Sequence, residues 1–261
     1  VNCWGQRDQV GIDTNSSQFS PVTVDNITTA SQISVGIDHT CARLSNGTVK
    51  CWGNNGNGRL GIGNTSSIGD GENEMGDYLA AIDLGTGRTA IAISTGYAHT
   101  CAILDSGVLK CWGYNANGQL GQGHAYPIGD GYSGDDAIQC HPTANDETDR
   151  ECQARMGDGL AAIDLGDGRT AVAVSAGYAH TCAILDNGSV RCWGNNGDGR
   201  TGLSTTSGNA GDADNEMGDD LATVDLGTGR TAVTISAGYK HTCALLDDLS
   251  VACWVDNGAR E

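Results

Sequence analysis

Polar and apolar positions alternate over short stretches of this chain and never settle into a helical period. His180 to Leu185 alternates, and Ser189 to Trp193 resumes after Asp186-Asn187-Gly188. In TAVAVSAG, from Thr170, apolar residues mix with small ones until Gly177 stops the run. Short β-branched runs punctuated by Gly, Asn and Asp are strand and turn signals. With Cys182 opposite Cys192, the pairing centre is Asn187 and the hairpin has a three-residue loop. Such loops favour a positive φ at their last residue, a place filled by Gly188. Ser45-Asn46-Gly47 and Asp105-Ser106-Gly107 repeat the arrangement. Asp247-Asp248-Leu249 does not, so that turn is expected to be strained or shaped differently.

The pattern recurs in words as well as in polarity. DHTCARLSNGTVKCWGNNGNGRLGIG starts at Asp38, AHTCAILDSGVLKCWGYNANGQLGQG at Ala98, AHTCAILDNGSVRCWGNNGDGR at Ala179 and KHTCALLDDLSVACW at Lys240. A truncated copy, VNCWGQRDQVG, opens at Val1. Interleaved with these are YLAAIDLGTGRTAIAISTGY, GLAAIDLGDGRTAVAVSAGY and DLATVDLGTGRTAVTISAGY. Self-similarity at a period of about 60 residues marks a repeat architecture. The expected fold is all-β, with four units of antiparallel strands. Residues 1–19 complete a preceding unit; 20–78 are repeat 1 with an acidic connector, and 79–159 repeat 2 with a long insertion. Residues 160–220 form repeat 3 with an acidic connector, and 221–261 repeat 4.

Opposed residues of a non-hydrogen-bonded antiparallel pair lie about 4.5 Å apart at Cα, near the short end of the disulfide range. A zinc site would want CxxC-like local pairs, and a redox motif two cysteines separated by two residues at a helix start. Neither occurs. The pairs Cys41–Cys51, Cys101–Cys111, Cys182–Cys192 and Cys243–Cys253 are therefore read as structural staples. Each would contribute about 2–3 kcal/mol on the loop-entropy model. Cys140 and Cys152, within the insertion between Gln122 and Met156, are expected to pair with each other. Cys3 is left over: its phrase is the second strand of a hairpin whose first strand is missing. It either pairs between chains or belongs to a polypeptide that continues upstream, and the second reading is favoured.

The glycine and His-Thr of SAGYAHTCAIL, the Asn-Gly turn, the Trp-Gly of VRCWG and the NANGQLGQG tail from Asn115 resemble the repeats of the regulator of chromosome condensation family. The resemblance covers most of the chain and implies β-propeller blades of four strands arranged radially. It also implies that each histidine of the HTC phrases makes a hydrogen bond within its own blade; a ring of metal ligands is the competing account. Trp52, Trp112, Trp193 and Trp254 each follow a hairpin cysteine, so they face the other side of the strand. Packing between blades is the expected role, with sugar stacking the alternative. Propellers host many functions, so the resemblance carries none by itself.

Charge narrows the setting. Lys and Arg total 14 against 32 Asp and Glu, a formal net charge of −18. Such a surface repels phosphate backbones, so the chromatin binding of the family's founding member is not expected, and no nucleic-acid partner is. No surface matching its nucleotide-exchange role is legible either. Eleven cysteines, ten with plausible mates, point to an oxidising compartment. Sequons stand at Asn15, Asn26, Asn46, Asn64 and Asn187, with Asn46 and Asn187 on hairpin tips where a glycan fits. An extracellular or cell-surface location is expected. No signal peptide is visible at Val1, and no apolar run has the length to span a membrane.

Two connectors carry clustered carboxylates: Asp70, Glu72, Glu74 and Asp77, then Asp212, Asp214, Glu216 and Asp219. Calcium takes six to eight oxygens and is the only cofactor such clusters suggest. The EF-hand glycine is missing, with Met75 and Met217 in its place, so solvated acidic loops are favoured. The recurrence of NEMGD suggests a packing role for its Met and Gly between blades. Catalytic motifs are absent: there is no GxSxG, HExxH, CxxC or P-loop. Two functions stay open. One is a non-enzymatic extracellular scaffold, the building block of a filament, sheath or surface appendage, whose partners are neighbouring copies or further repeats. The other is a secreted propeller that binds a carbohydrate or protein, through the insertion or the blade tops.

Overall fold

The computed structural model describes residues 1–12, 16–130, 156–204 and 208–255. Nearly all its regular structure is antiparallel. Strands β1 (Asn2–Gly5) and β2 (Gln18–Thr23) pair with each other, bracketing the short helix α1 (Arg7–Val10). Three-stranded sheets follow: β3 (Ala30–Val35), β4 (His39–Leu44) and β5 (Val49–Gly53), then β6 (Ala90–Thr95), β7 (His99–Leu104) and β8 (Leu109–Gly113). The next sheet has four strands, β9 (Ala171–Ala176), β10 (His180–Leu185), β11 (Val190–Asn195) and β12 (Asn209–Ala210). The last holds β13 (Ala232–Ala237), β14 (Thr242–Leu246) and β15 (Val251–Trp254). Isolated bridges from Gly53 to Ile68 and from Gly113 to Ile128 stand where β12 completes the third blade. Consecutive first strands β3, β6, β9 and β13 touch, so they line the axis of an arc of blades.

The truncated phrase is the outer half of a further blade. Strand β2 runs across the expected 19/20 boundary and pairs with β1, Cys3 opposite Val22, so this unit extends to Thr23. The backbone draws the line there because β2 fills the place that β12 holds beside β11.

Each hairpin closes in the register that its cysteine spacing implied. Cys41, Cys101, Cys182 and Cys243 lie opposite Cys51, Cys111, Cys192 and Cys253, all four pairs are bonded, and their Cα atoms are 4.1 Å apart. Cys140 and Cys152 lie outside the described residues, as does Asn15. Gly47, Gly107 and Gly188 hold φ of +82°, +79° and +79° at the hairpin tips, and Leu249 is forced to +68°. A residue with a Cβ is strained there, as its turn sequence led us to expect.

One set of hydrogen bonds joins successive blades. His39 Nε2 lies 2.9 Å from Thr100 Oγ1, His99 2.9 Å from Thr181, and His180 2.8 Å from Thr242. Each threonine hydroxyl donates over 2.8 Å to the carbonyl of Arg59, Gln119 or Arg200. With the hydroxyl proton so committed, the imidazole must be the donor: Nε2 carries the proton and Nδ1 is bare. The same carbonyls receive the indole N–H of Trp112, Trp193 and Trp254 at 3.1, 3.0 and 2.9 Å. Trp52 donates likewise to Gln9 of the N-terminal half-blade, over 3.0 Å.

The histidine bond thus leaves its own blade, against the sequence expectation. A glycine makes the crossing possible. A Cβ on Gly96 would sit 2.3 Å from His99 Cε1 and 2.4 Å from the carbonyl oxygen of Gly177 in the next blade. Gly36 and Gly177 are confined in the same way. Beside this junction, Ser34, Ser94 and Ser175 accept the backbone N–H of Thr95, Ala176 and Ala237 from the following blade. Trp52, Trp112 and Trp193 are fully buried, which removes them from any role in sugar stacking.

The NEMGD residues pack as their recurrence suggested. A Cβ on Gly121 would lie 2.8 Å from Trp193 Nε1 and 2.9 Å from Met217 Cε, so the methionine, the indole and a bare backbone fill one space. The carbonyls of Gly76 and Gly157 receive Lys50 and Lys110 at 2.8 and 2.7 Å, and that of Gly218 receives Arg191.

Leu249→Gly removes left-handed strain at an exposed position and should raise stability by about 1 kcal/mol, read as a higher urea midpoint with unchanged slope. Burial holds His39, His99 and His180 at a pKa of about 3, against an ordinary 6.5. The folded rings stay neutral while the unfolded chain takes up protons below 6.5. Their share of stability is complete above that pH and drains as pH falls towards 3, at a slope approaching about 4 kcal/mol per pH unit for three rings. Thr181→Val should cost about 2–3 kcal/mol by stranding the His99 donor. His241→Asn should cost nothing measurable, since that ring is exposed.

Candidate functional site

The turns that join the first and second strands of the blades converge at one mouth of the arc. Val35-Gly36-Ile37, Thr95-Gly96-Tyr97, Ala176-Gly177-Tyr178 and Ala237-Gly238-Tyr239 line a shallow, open cavity of about 300 Å³. The glycines of the first three turns are compelled by the histidine junction and Gly238 by the His241 ring, and the residue after each is thereby placed on the rim. The Tyr97 N–H donates to the Gly177 carbonyl and the Tyr178 N–H to that of Gly238, both at 3.1 Å, which locks each turn onto the next blade.

Three tyrosines therefore form a ladder. Ring centroids are 4.4 Å apart between Tyr97 and Tyr178, and 4.2 Å between Tyr178 and Tyr239, with planes inclined at 43° and 47°. Hydrogen bonding to the Tyr239 hydroxyl, reinforced by the neighbouring phenols, pushes the Tyr178 phenol above its ordinary value. The first blade has Ile37 in place of a tyrosine, 54% exposed, beside Val35. Charge stands behind this apolar rim: Arg59 lies 3.8 Å from Asp38, while Arg200 pairs with Asp198 and donates to the Tyr239 carbonyl at 3.2 Å.

The acidic connectors are built differently from a cation site. Glu74 Oε2 accepts the backbone N–H of Gly69, Asp70 and Gly71 at 2.7, 3.1 and 2.8 Å. Glu216 Oε2 does the same for Gly211, Asp212 and Ala213, at 2.9, 3.1 and 3.0 Å. These carboxylates fold their own loops. Asp212 accepts from Asn209, Asp219 sits 3.7 Å from Arg191, and Glu72, Asp77 and Asp214 are exposed. Among the described residues, no three His, Cys, Asp or Glu side chains gather where a metal ion could be held. Glu74 and Glu216 are thus spent on backbone donors, and His39, His99 and His180 are each sealed in a separate junction rather than gathered in a ring.

Asn26, Asn46, Asn64 and Asn187 are exposed, with Asn46 and Asn187 at hairpin tips. Cys3 is unpaired and half-buried, and burial raises its thiol pKa. No described helix is long and apolar enough to cross a membrane. The tyrosine rim was not among the sequence candidates, although its signal was present: a Tyr two residues before the His in three of four repeats.

Comparison with known proteins agrees with this architecture. The regulator of chromosome condensation (RCC1) repeat model matches residues 30–59, 90–119 and 171–200. Each match runs from the first residue of an inner strand to the residue whose carbonyl receives the next blade's Thr and Trp. The ultraviolet-B receptor UVR8 of Arabidopsis thaliana is 23% identical over 289 residues, covering 96% of this chain and 59% of the receptor. The probable E3 ubiquitin-protein ligase HERC6 of Homo sapiens is 28% identical over 86% of this chain, which spans 18% of the ligase. Human WBSCR16 superposes with a TM-score of 0.68 at 15% identity, over 97% of this chain and 55% of that one. Yeast RCC1 (Prp20) gives 0.63 at 17%, over 92% and 47%. The chain spans about half the length of these solved structures. The three matched repeats coincide with the blades built on β3–β5, β6–β8 and β9–β12, so the chain is similar to the regulator of chromosome condensation repeat proteins and shares their β-propeller fold.

Proposed function

We propose that this chain is a non-enzymatic binding module of an extracellular or cell-surface protein, and that the tyrosine rim is its recognition surface for a protein partner. The observation that carries this reading is the rim itself: Tyr239, Ile37 and Val35 are each more than half exposed around a cavity on a rigid arc. Tyrosines held by a scaffold offer large contact area at little cost in side-chain entropy. A protein suits the site better than a sugar, because the tyrosine faces lean on one another at 4.2–4.4 Å and leave few open for stacking on a pyranose ring. Oxidised cysteines and exposed sequons support the extracellular setting.

A second reading rests on the two ends of the arc. In the last blade His241 is exposed, with Leu249 at 80% and Val251 at 65%, and in the first blade Val35 is at 67%. Repeat arrays are stabilised by covering such faces with a neighbour, and neighbouring copies or further repeats of the same protein would do so in a scaffold that builds a filament, sheath or appendage.

Probing a panel of secreted proteins together with a glycan array tests the first reading. Tyr239→Ala and Ile37→Ala should each weaken the protein interaction at least about tenfold, while Asn187→Gln leaves it unchanged. Hits confined to glycans would overturn it. For the second, light scattering and electron microscopy over a concentration series should show growing assemblies; a discrete monomer throughout would exclude it.

A further inference from the structure

All four disulfides of the described residues join cysteines ten positions apart within one hairpin, so none crosses from one blade to the next. The tyrosine ladder does cross. Tyr97, Tyr178 and Tyr239 come from three successive blades, at centroid separations of 4.4 and 4.2 Å. Rings this close bring the edge of one phenol against its neighbour, and the backbone bonds from Tyr97 to Gly177 and from Tyr178 to Gly238 hold them there. Tyr239 is 56% exposed, so an oxidant in solution reaches the ladder directly.

We propose that the ladder is a site of oxidative cross-linking, in which Tyr178 forms dityrosine with Tyr239 or with Tyr97 and so joins neighbouring blades covalently. Each phenol gives up one electron and its hydroxyl proton. The two phenoxyl radicals couple through carbons ortho to their oxygens, one C–C bond forms, and the displaced ortho hydrogens move to the oxygens to restore both phenols. The co-reactant is a peroxide acting through a haem peroxidase: hydrogen peroxide accepts the two electrons and two protons and becomes two waters. Proximity makes the coupling within a chain outrun coupling between chains. The proposal does not depend on the rim binding a partner.

Dilute whole protein treated with a haem peroxidase and limiting hydrogen peroxide tests it. The monomer should lose two hydrogens in mass and gain dityrosine fluorescence, with peptide mapping linking Tyr178 to Tyr239 or Tyr97. Tyr178→Phe keeps the ring and the packing but should lower the within-chain yield at least about tenfold. Tyr78→Phe, at a tyrosine 70% exposed and outside the ladder, should leave the yield unchanged. The cross-linked monomer should also unfold at a higher temperature than the untreated one. Links formed chiefly between chains through Tyr78, or an unchanged within-chain yield in Tyr178→Phe, would overturn the assignment.

Discussion

The arc depends on one buried relay: an imidazole N–H donating to a threonine hydroxyl, which donates to a carbonyl that also receives an indole N–H. Its histidines and threonines are dry. Thr100, Thr181 and Thr242 are fully buried, as are Trp112 and Trp193, so each polar atom must find its partner across the junction or go without. Breaking one link strands another, since a buried donor left unpaired costs more than the bond contributes when made. The uncharged state of the histidines follows from the same enclosure. A proton on Nδ1, which is buried without a hydrogen-bond partner, would have no acceptor there.

The relay also explains the small residues around it. Gly36, Gly96 and Gly177 are glycines for lack of room rather than for an unusual backbone, being hemmed in by a histidine ring and a neighbouring carbonyl. The serines of the inner strands supply acceptors to N–H groups that a sheet edge would leave bare. Apolar weight comes from the tryptophans and from methionines set against them, and the stapled hairpins of the blades built on β3–β5, β6–β8 and β9–β12 keep their cysteines inside that core.

What could be read from the chain and what could not separate along a physical line. Cysteines ten apart around an Asn-Gly turn determine their own register, so hairpins, staples and the strained Leu249 turn were all legible. The destination of a side chain in another blade was not. His39 reaches a threonine 61 positions away and His99 one 82 away, and hairpin periodicity carries no information at that range. The acidic loops misled for a related reason: a carboxylate that caps three backbone N–H groups and one that waits for a cation look alike as letters. Tyr97, Tyr178 and Tyr239 read as strand ends, and their alignment appears only when the blades are set side by side.

The relay has a direction. Each blade offers the next a ready donor, its histidine, and a ready acceptor, the carbonyl near the end of its tail; the following blade brings the threonine and the tryptophan that engage them. A ribosome delivers the chain in this order. As each hairpin emerges, the surface that completes its core has already been made by the segment before it, so the arc can grow as a template copied forward, without waiting for its far end. The short N-terminal half-blade fits this sequence: through Gln9 it presents Trp52, the tryptophan of the first stapled hairpin, with the carbonyl that Trp112, Trp193 and Trp254 receive from their predecessors.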